Sequence, residues 1–198
     1  YKHNMKLSGS YQINLSKDKV WEALNDPEIL KQAIPGCEEF IKNSETEFTA
    51  TATNKIGPFN ASFTGDIELK DLNPPNSYKI TGSGNSPVGF ASGEAEVKLE
   101  DHENGTNLIY QVEANVGGKI AQVGSRLIDM TAKKMADIFF GKFSKLISND
   151  DKSDDNDQDL TKENVDNKNQ IKQKSQSQRI LIYVGGLIIV ASLIYLLL

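Results

Sequence analysis

The chain has 198 residues, a net charge of −5 and one cysteine. Its length suits one domain plus appendages, and a lone thiol excludes both an intramolecular disulfide framework and a cysteine metal cage. With only His3 and His102 for imidazole chemistry, and no basic face, metal, general-base and nucleic-acid functions find little to work with.

Residues 1–4 read as an extension ahead of Met5 that lacks the apolar core of a secretory signal. From Lys6 to Asn14, the residues Leu7, Gly9, Tyr11 and Ile13 alternate with polar ones, which predicts a half-buried strand. Ser16 is a helix N-cap signal, with Leu15 and Val20 spaced as a hydrophobic staple and Val20, Trp21 and Leu24 on the apolar side. Asp26-Pro27 starts a second short helix carrying Ile29, Leu30 and Ile34, and Pro35-Gly36 stops it.

Strands are expected for roughly the next eighty residues. Phe48, Ala50 and Ala52 alternate with threonines; beyond a Gly57-Pro58 turn, Phe59, Ala61, Phe63, Gly65, Ile67 and Leu69 continue the period. After the Asn73-Pro74-Pro75-Asn76 turn come Tyr78, Ile80, Gly82 and Gly84, then Ala91, Gly93, Ala95, Val97 and Leu99. A turn at Glu103-Asn104-Gly105 precedes Leu108, Tyr110, Val112, Ala114 and Val116. Gly117 to Ile147 then shows helical spacing, with Ile120, Val123, Leu127, Ile128, Thr131, Met135, Ile138, Phe139, Phe143 and Leu146 on one stripe. The fold class is therefore α+β, a curved antiparallel sheet around one long C-terminal helix. That order resembles the helix-grip, START-like (SRPBCC) fold, whose space between sheet and helix often holds an apolar ligand.

The inward strand face is small. Ala50, Ala52, Ala61, Gly65, Gly82, Gly84, Ala91, Gly93, Ala95 and Ala114 stand where a filled barrel would use branched residues. Either the helix comes close to the sheet, or a void remains for a hydrophobic small molecule. The candidate lining is Phe59, Phe63, Tyr78, Phe90, Gly93, Ala95, Tyr110 and Ala114 from the strands, with Leu127 and Met135 from the helix.

No catalytic constellation assembles. His102 sits in a turn, Cys37 has no His partner, Glu38-Glu39 and Glu94/Glu96 read as solvent-face residues, and no metal site is expected. The glycines 82, 84 and 89 fail as a phosphate loop, because no helix opens after them and no Lys-Ser/Thr follows. The Asn-x-Ser/Thr sequons at Asn14, Asn60 and Asn104 read as chance in an Asn-rich chain.

Composition divides the chain into a domain over 5–148, a charged linker over 149–179 and an apolar run over 180–198. The linker is nearly devoid of apolar residues and is expected to be a disordered tether, acidic first (Asp150 to Asp159) and basic last. Nineteen residues at 1.5 Å each reach about 28 Å, close to a bilayer's hydrocarbon core of about 30 Å, so Ile180 to Leu198 reads as a transmembrane anchor. Lys172, Lys174 and Arg179 precede it and no charge follows, which places the domain on the cytoplasmic side of the membrane.

Three stretches carry a more specific resemblance. They are Val20-Trp21-Glu22-Ala23-Leu24-Asn25-Asp26-Pro27 with Ile34-Pro35-Gly36-Cys37-Glu38; Phe59-x-x-x-Phe63-x-Gly65 with Gly82-x-Gly84; and Val116-Gly117-Gly118-Lys119-Ile120-Ala121 through Arg126-Leu127-Ile128 to Phe139, Phe140 and Phe143. Together they are similar to the CoxG family, the G subunit of carbon monoxide dehydrogenase, over essentially Met5 to Ile147. The resemblance implies a non-catalytic accessory protein that brings a molybdenum hydroxylase of the carbon monoxide or xanthine dehydrogenase type to the cytoplasmic membrane. It also implies a respiratory quinone such as menaquinone as the ligand. An assembly factor without a ligand, a generic START-like lipid binder, and a START-like cyclase or hydrolase are the competing readings. The last needs ionisable groups inside the cavity, where the inward positions are almost all apolar.

Overall fold

The computed structural model describes residues 2–154. Strand β1 (Lys2–Ile13) leads into helices α1 (Lys17–Ala23) and α2 (Pro27–Ala33). Strands β2 (Cys37–Lys42), β3 (Glu47–Ile56), β4 (Phe59–Asn73), β5 (Ser77–Ser86), β6 (Gly89–His102) and β7 (Gly105–Gly118) follow, then a 3-10 turn (Ile120–Val123) and α3 (Ser125–Asp154). All seven strands join one antiparallel sheet in the order β1-β7-β6-β5-β4-β3-β2. Hairpins join each strand from β2 to β7 to the next, and only the α1–α2 segment crosses from one edge of the sheet to the other. A long, right-twisted sheet of this kind curls, and α3 lies against its first strand and against α2.

Local chemistry sets the short helices. The Ser16 hydroxyl accepts from the Lys19 amide at 3.4 Å; the Asp26 carboxylate accepts from the amides of Glu28 at 2.8 Å and Ile29 at 3.3 Å, with Pro27 at the first helical position. After α2, Gly36 takes φ +72°, and a Cβ there would run into the carbonyl of Thr53, whose amide bonds the Gly36 carbonyl at 3.0 Å. Only glycine suits both the backbone and the space.

Three expectations need correction. Residues 2–4 are part of β1, pairing with Gly117, Val116 and Asn115, and His3 Nε2 sits 2.9 Å from the Asp129 carboxylate. Strand β2 escapes the period-two pattern because it is an edge strand with a register shift between Cys37 and Glu39, so its burial does not alternate. The C-terminal helix starts at Ser125 rather than Gly117, since β7 runs through Gly118 and the 3-10 turn intervenes; its backbone continues to Asp154, into the stretch whose composition reads as tether. The rest of the linker and the apolar run 180–198 lie outside the described residues. Among the described residues no helix is long and apolar enough to cross a membrane.

The core sits between the concave sheet face and the helices. Helix α3 buries Ile128, Ala132, Ala136, Phe139, Phe140, Phe143 and Ile147. The Phe140 ring stacks on Tyr11 at 3.9 Å between centroids and on Tyr110 at 5.6 Å, while the Tyr11 hydroxyl donates to Asp137. Trp21, 2% exposed, meets the Tyr78 ring edge-on at 5.5 Å.

Replacing Trp21 with alanine removes the largest side chain of α1 from this core. We expect Trp21→Ala to cost about 3–5 kcal/mol in a denaturant melt; a loss below about 1 kcal/mol would mean that the indole does not contribute to packing. In the opposite direction, Gly141 is an exposed mid-helix glycine with nothing within 4 Å of an added Cβ. Gly141→Ala is expected to stabilise the fold by about 0.5–1 kcal/mol in the same assay.

Candidate functional site

Strand pairing turns the small inward residues into a floor. One row across the sheet runs Ala50, Gly65, Gly84, Ala91 and Val116; the next runs Phe48, Ile67, Gly82, Gly93, Ala114 and Met5. Helix α3 answers with Ala132 and Ala136, both buried. Part of the smallness is consumed by the curl of the sheet. A Cβ at Gly93 would lie 2.9 Å from the Ala114 Cα and 3.0 Å from its Cβ, and one at Gly65 would lie 2.6 Å from the Ser83 carbonyl oxygen. Glycine is required there because neighbouring backbone approaches too closely for a side chain.

One polar grouping interrupts this apolar interior, and a second lies at its edge between β1 and α3. At the α1 end, the Trp21 indole N–H, the Asn25 side-chain oxygen and the Tyr78 hydroxyl are all buried without a hydrogen-bond partner. The Asn25 amide nitrogen donates to the Trp21 carbonyl one helical turn earlier, which fixes its orientation and leaves its oxygen unsatisfied. Leaving such groups unpaired costs about 1–3 kcal/mol each. Burial holds the Tyr78 hydroxyl protonated far above the ordinary tyrosine range, so it is a neutral donor at any physiological pH. The second grouping is Tyr11, Tyr110 and Asp137. Burial, followed by the neighbouring Asp137 carboxylate, pushes Tyr11 up, and burial together with the charge of Asp137 pushes up Tyr110.

Phe63, Tyr78, Ala95, Tyr110 and Ala114 are brought together on the concave face and buried, while Phe59, Met135 and, within the floor row, Gly93 are half-buried. Phe90 and Leu127 are not part of this interior. Phe90 pairs with Gly117, one position out of phase with Ala91, so its ring covers Gly117 on the outer face and is 40% exposed. Leu127 lies at the start of α3 beside the β3–β4 hairpin and is 37% exposed. Trp21, Asn25, Tyr11 and Asp137 were absent from the expected lining. The i,i+4 spacing of Trp21 and Asn25 puts them on one face of α1, but only the tertiary contact shows what that face meets. Cys37 is half-buried and its thiol is pushed up to about 11, chiefly by desolvation, so it is a poor nucleophile. Among the described residues no three His, Cys, Asp or Glu side chains gather as a metal site. A surface groove of about 500 Å³, lined by Asp66, Glu68, Thr81 and Ser83 among others, belongs to the polar outer side of β4 and β5.

The buried tyrosines give a pH signature. A hydroxyl whose folded-state pKa is raised contributes stability that is complete below the unfolded tyrosine value of about 10 and is lost as pH rises beyond it. The fold is therefore expected to lose stability above about pH 10, and Tyr78→Phe to flatten that alkaline decline. Denaturant midpoints taken across the alkaline range, with an unchanged slope in the variant, would show that Tyr78 does not carry the effect.

No curated protein matches the chain. Among solved structures, a conserved protein from Geobacillus kaustophilus is 31% identical with a TM-score of 0.70, covering 73% of this chain and 96% of that one. A protein from Rhizobium leguminosarum (13% identity, TM-score 0.59, 75% of this chain and 97% of that) shares the fold. So does the Zhui aromatase/cyclase from Streptomyces sp. R1128 (12% identity, TM-score 0.52, 75% and 94%). Residues 9–148, which span the floor, both polar groupings and the glycine turns, match the G subunit of carbon monoxide dehydrogenase (CoxG), and the chain belongs to that family.

Proposed function

We propose that this protein is a membrane-anchored accessory subunit that holds an apolar, carbonyl-bearing molecule between the sheet and α3. On this reading it couples a molybdenum hydroxylase of the carbon monoxide or xanthine dehydrogenase type to the cytoplasmic membrane. The observation that carries the proposal is the excess of buried, unpartnered donors, Trp21 N–H and Tyr78 O–H against the single free acceptor among the described residues, Asn25 Oδ1, in a largely apolar interior. Two unsatisfied donors favour an acceptor such as a quinone carbonyl, and a respiratory quinone such as menaquinone combines that group with an isoprenoid chain suited to the Gly and Ala floor. A quinone would supply two-electron, two-proton redox chemistry. This chain's own residues orient the carbonyl, keep water away and hold the tyrosine proton on Tyr78. CoxG is an accessory family rather than a catalytic one, which supports a binding role over chemistry by this chain's own side chains. The apolar run 180–198 is the proposed anchor.

A second reading draws on the close backbone approach at Gly65 and Gly93. If the floor is simply packed, the protein works as a ligand-free assembly factor whose loss leaves the hydroxylase without cofactor rather than without membrane coupling.

Organic extraction of the purified full chain followed by mass spectrometry is expected to yield an isoprenoid quinone. Titration of the ligand-free protein with the same quinone should then show Tyr78→Phe binding about two- to tenfold more weakly. The variant's folding stability should be equal or higher, because it removes an unsatisfied hydroxyl. An extract without any lipid-soluble molecule, together with no quinone binding, would leave the assembly reading in place.

A further inference from the structure

Three segments meet at the end of the sheet opposite α1. They are the β3–β4 hairpin around Gly57, the β5–β6 hairpin around Val88, and the 3-10 turn with the first turn of α3. A Cβ on Gly57 would lie 3.2 Å from Leu127 and 3.3 Å from Val123, and the Ile120 amide bonds the Val88 carbonyl at 2.9 Å. This end exposes the large apolar side chains Phe90 and Leu127, with Met130 (60% exposed) one turn along α3 and the exposed prolines Pro58 and Pro87 at the hairpin tips.

Its charge runs against that of the molecule. Across residues 54–60, 85–90 and 116–130 there are three cations, Lys55, Lys119 and Arg126, against one acid, Asp129, which is paired with His3, although the domain from Met5 to Ser148 has nineteen acidic against fifteen basic residues. All three cations are exposed, and none forms an ion pair among the described residues. At the opposite end Lys17, Lys42 and Lys79 are each paired, with Asp101, Glu45 and Asp71. Unpaired cations around a few exposed apolar side chains match an anionic lipid surface, whose headgroups attract Lys and Arg while its interface accepts Leu, Phe and Met. A protein partner of ordinary mixed charge has no such complementarity to this patch.

We propose that this end docks onto anionic phospholipid headgroups. The proposal rests on the membrane-linked reading above, and it is separable from ligand binding.

The test uses residues 2–154, which end ahead of the apolar run. Their last core residue is Ile147, and 96% of the crystallised Geobacillus chain aligns with 73% of this one, so that chain contains little beyond this domain. Flotation is compared on vesicles of phosphatidylcholine alone and of phosphatidylcholine with phosphatidylglycerol. Binding is expected only on the anionic vesicles and should weaken as salt rises. Lys55→Glu, Lys119→Glu and Arg126→Glu should each reduce partitioning at least about fivefold, and together about a hundredfold or more. Leu127→Ser with Met130→Ser should weaken it further, and Lys17→Glu, Lys42→Glu and Lys79→Glu, the same change in net charge at the far end, should weaken it far less. A matching Trp21 fluorescence spectrum confirms that each variant is folded, and the single substitutions stand in for a triple variant that does not fold. Equal binding to neutral vesicles, no binding at all, insensitivity to the three reversals, or equal loss in the far-end control overturns the proposal. So does capture of a soluble dehydrogenase by this patch in place of lipid. A quinone titration on the same fragment reports separately on the interior: vesicle binding without quinone binding keeps the docking end and sinks the ligand, and the converse does the reverse.

Discussion

The stack of Phe140 against Tyr11 and Tyr110 closes the fold. It ties the last element to the first strand, and β1 is held in the sheet only by β7. Without α3 in place, Tyr110 and the apolar side chains around it would be presented to water, at roughly 1.5–3 kcal/mol for each large side chain. Gly9 is part of the same contact. The Tyr110 ring crosses directly over it, and a Cβ there would lie 2.6 Å from the tyrosine oxygen. The Tyr11 hydroxyl, bonded to Asp137, gives the stack a direction that apolar packing alone lacks, since hydrogen bonds are oriented and dispersion is not.

Once α3 is fixed there, the character of the interior follows. The phenylalanines at 139, 140 and 143 form a ring cluster with Tyr11 and Tyr110, whereas Ala132 and Ala136, earlier on the same helix, are buried small residues. Trp21 and Tyr78 bring two donors into a region whose one unpaired acceptor among the described residues is the Asn25 side-chain oxygen. Natural interiors rarely leave such groups unpaired, because each forfeits its bonds to water. That imbalance, rather than the small residues by themselves, is the feature of the interior that points to a ligand carrying an acceptor.

The charge distribution adds a second axis along the same direction. Acidic and paired side chains gather on the turns beside α1, and unpaired cations with exposed apolar residues gather beside the start of α3. The two hairpins at that end have short, glycine-containing turns at Gly57 and Gly89, which keeps the basic end compact and lets the 3-10 turn seat against Val88.

Element types and their order were legible from the residues alone, because period-two and 3.6-residue spacing and the caps at Ser16 and Asp26 are local signals. So was the family resemblance carried by the Ile34-Pro35-Gly36-Cys37 turn and the Gly117-Gly118 segment. What stayed open depends on contacts between residues far apart in the chain. Edge strand β2 has no alternation to read, because half its surroundings are solvent. Phe90 and Ala91 differ by one position, and only the register with Gly117 decides which of them faces the interior. The partnership of Trp21 with Tyr78, and of Tyr11 with Asp137 across 126 positions, exists only once the sheet has curled and α3 has closed over it. Whether a glycine makes room for a ligand or for a neighbouring backbone is likewise a matter of three-dimensional distance, which composition and spacing along the chain do not contain.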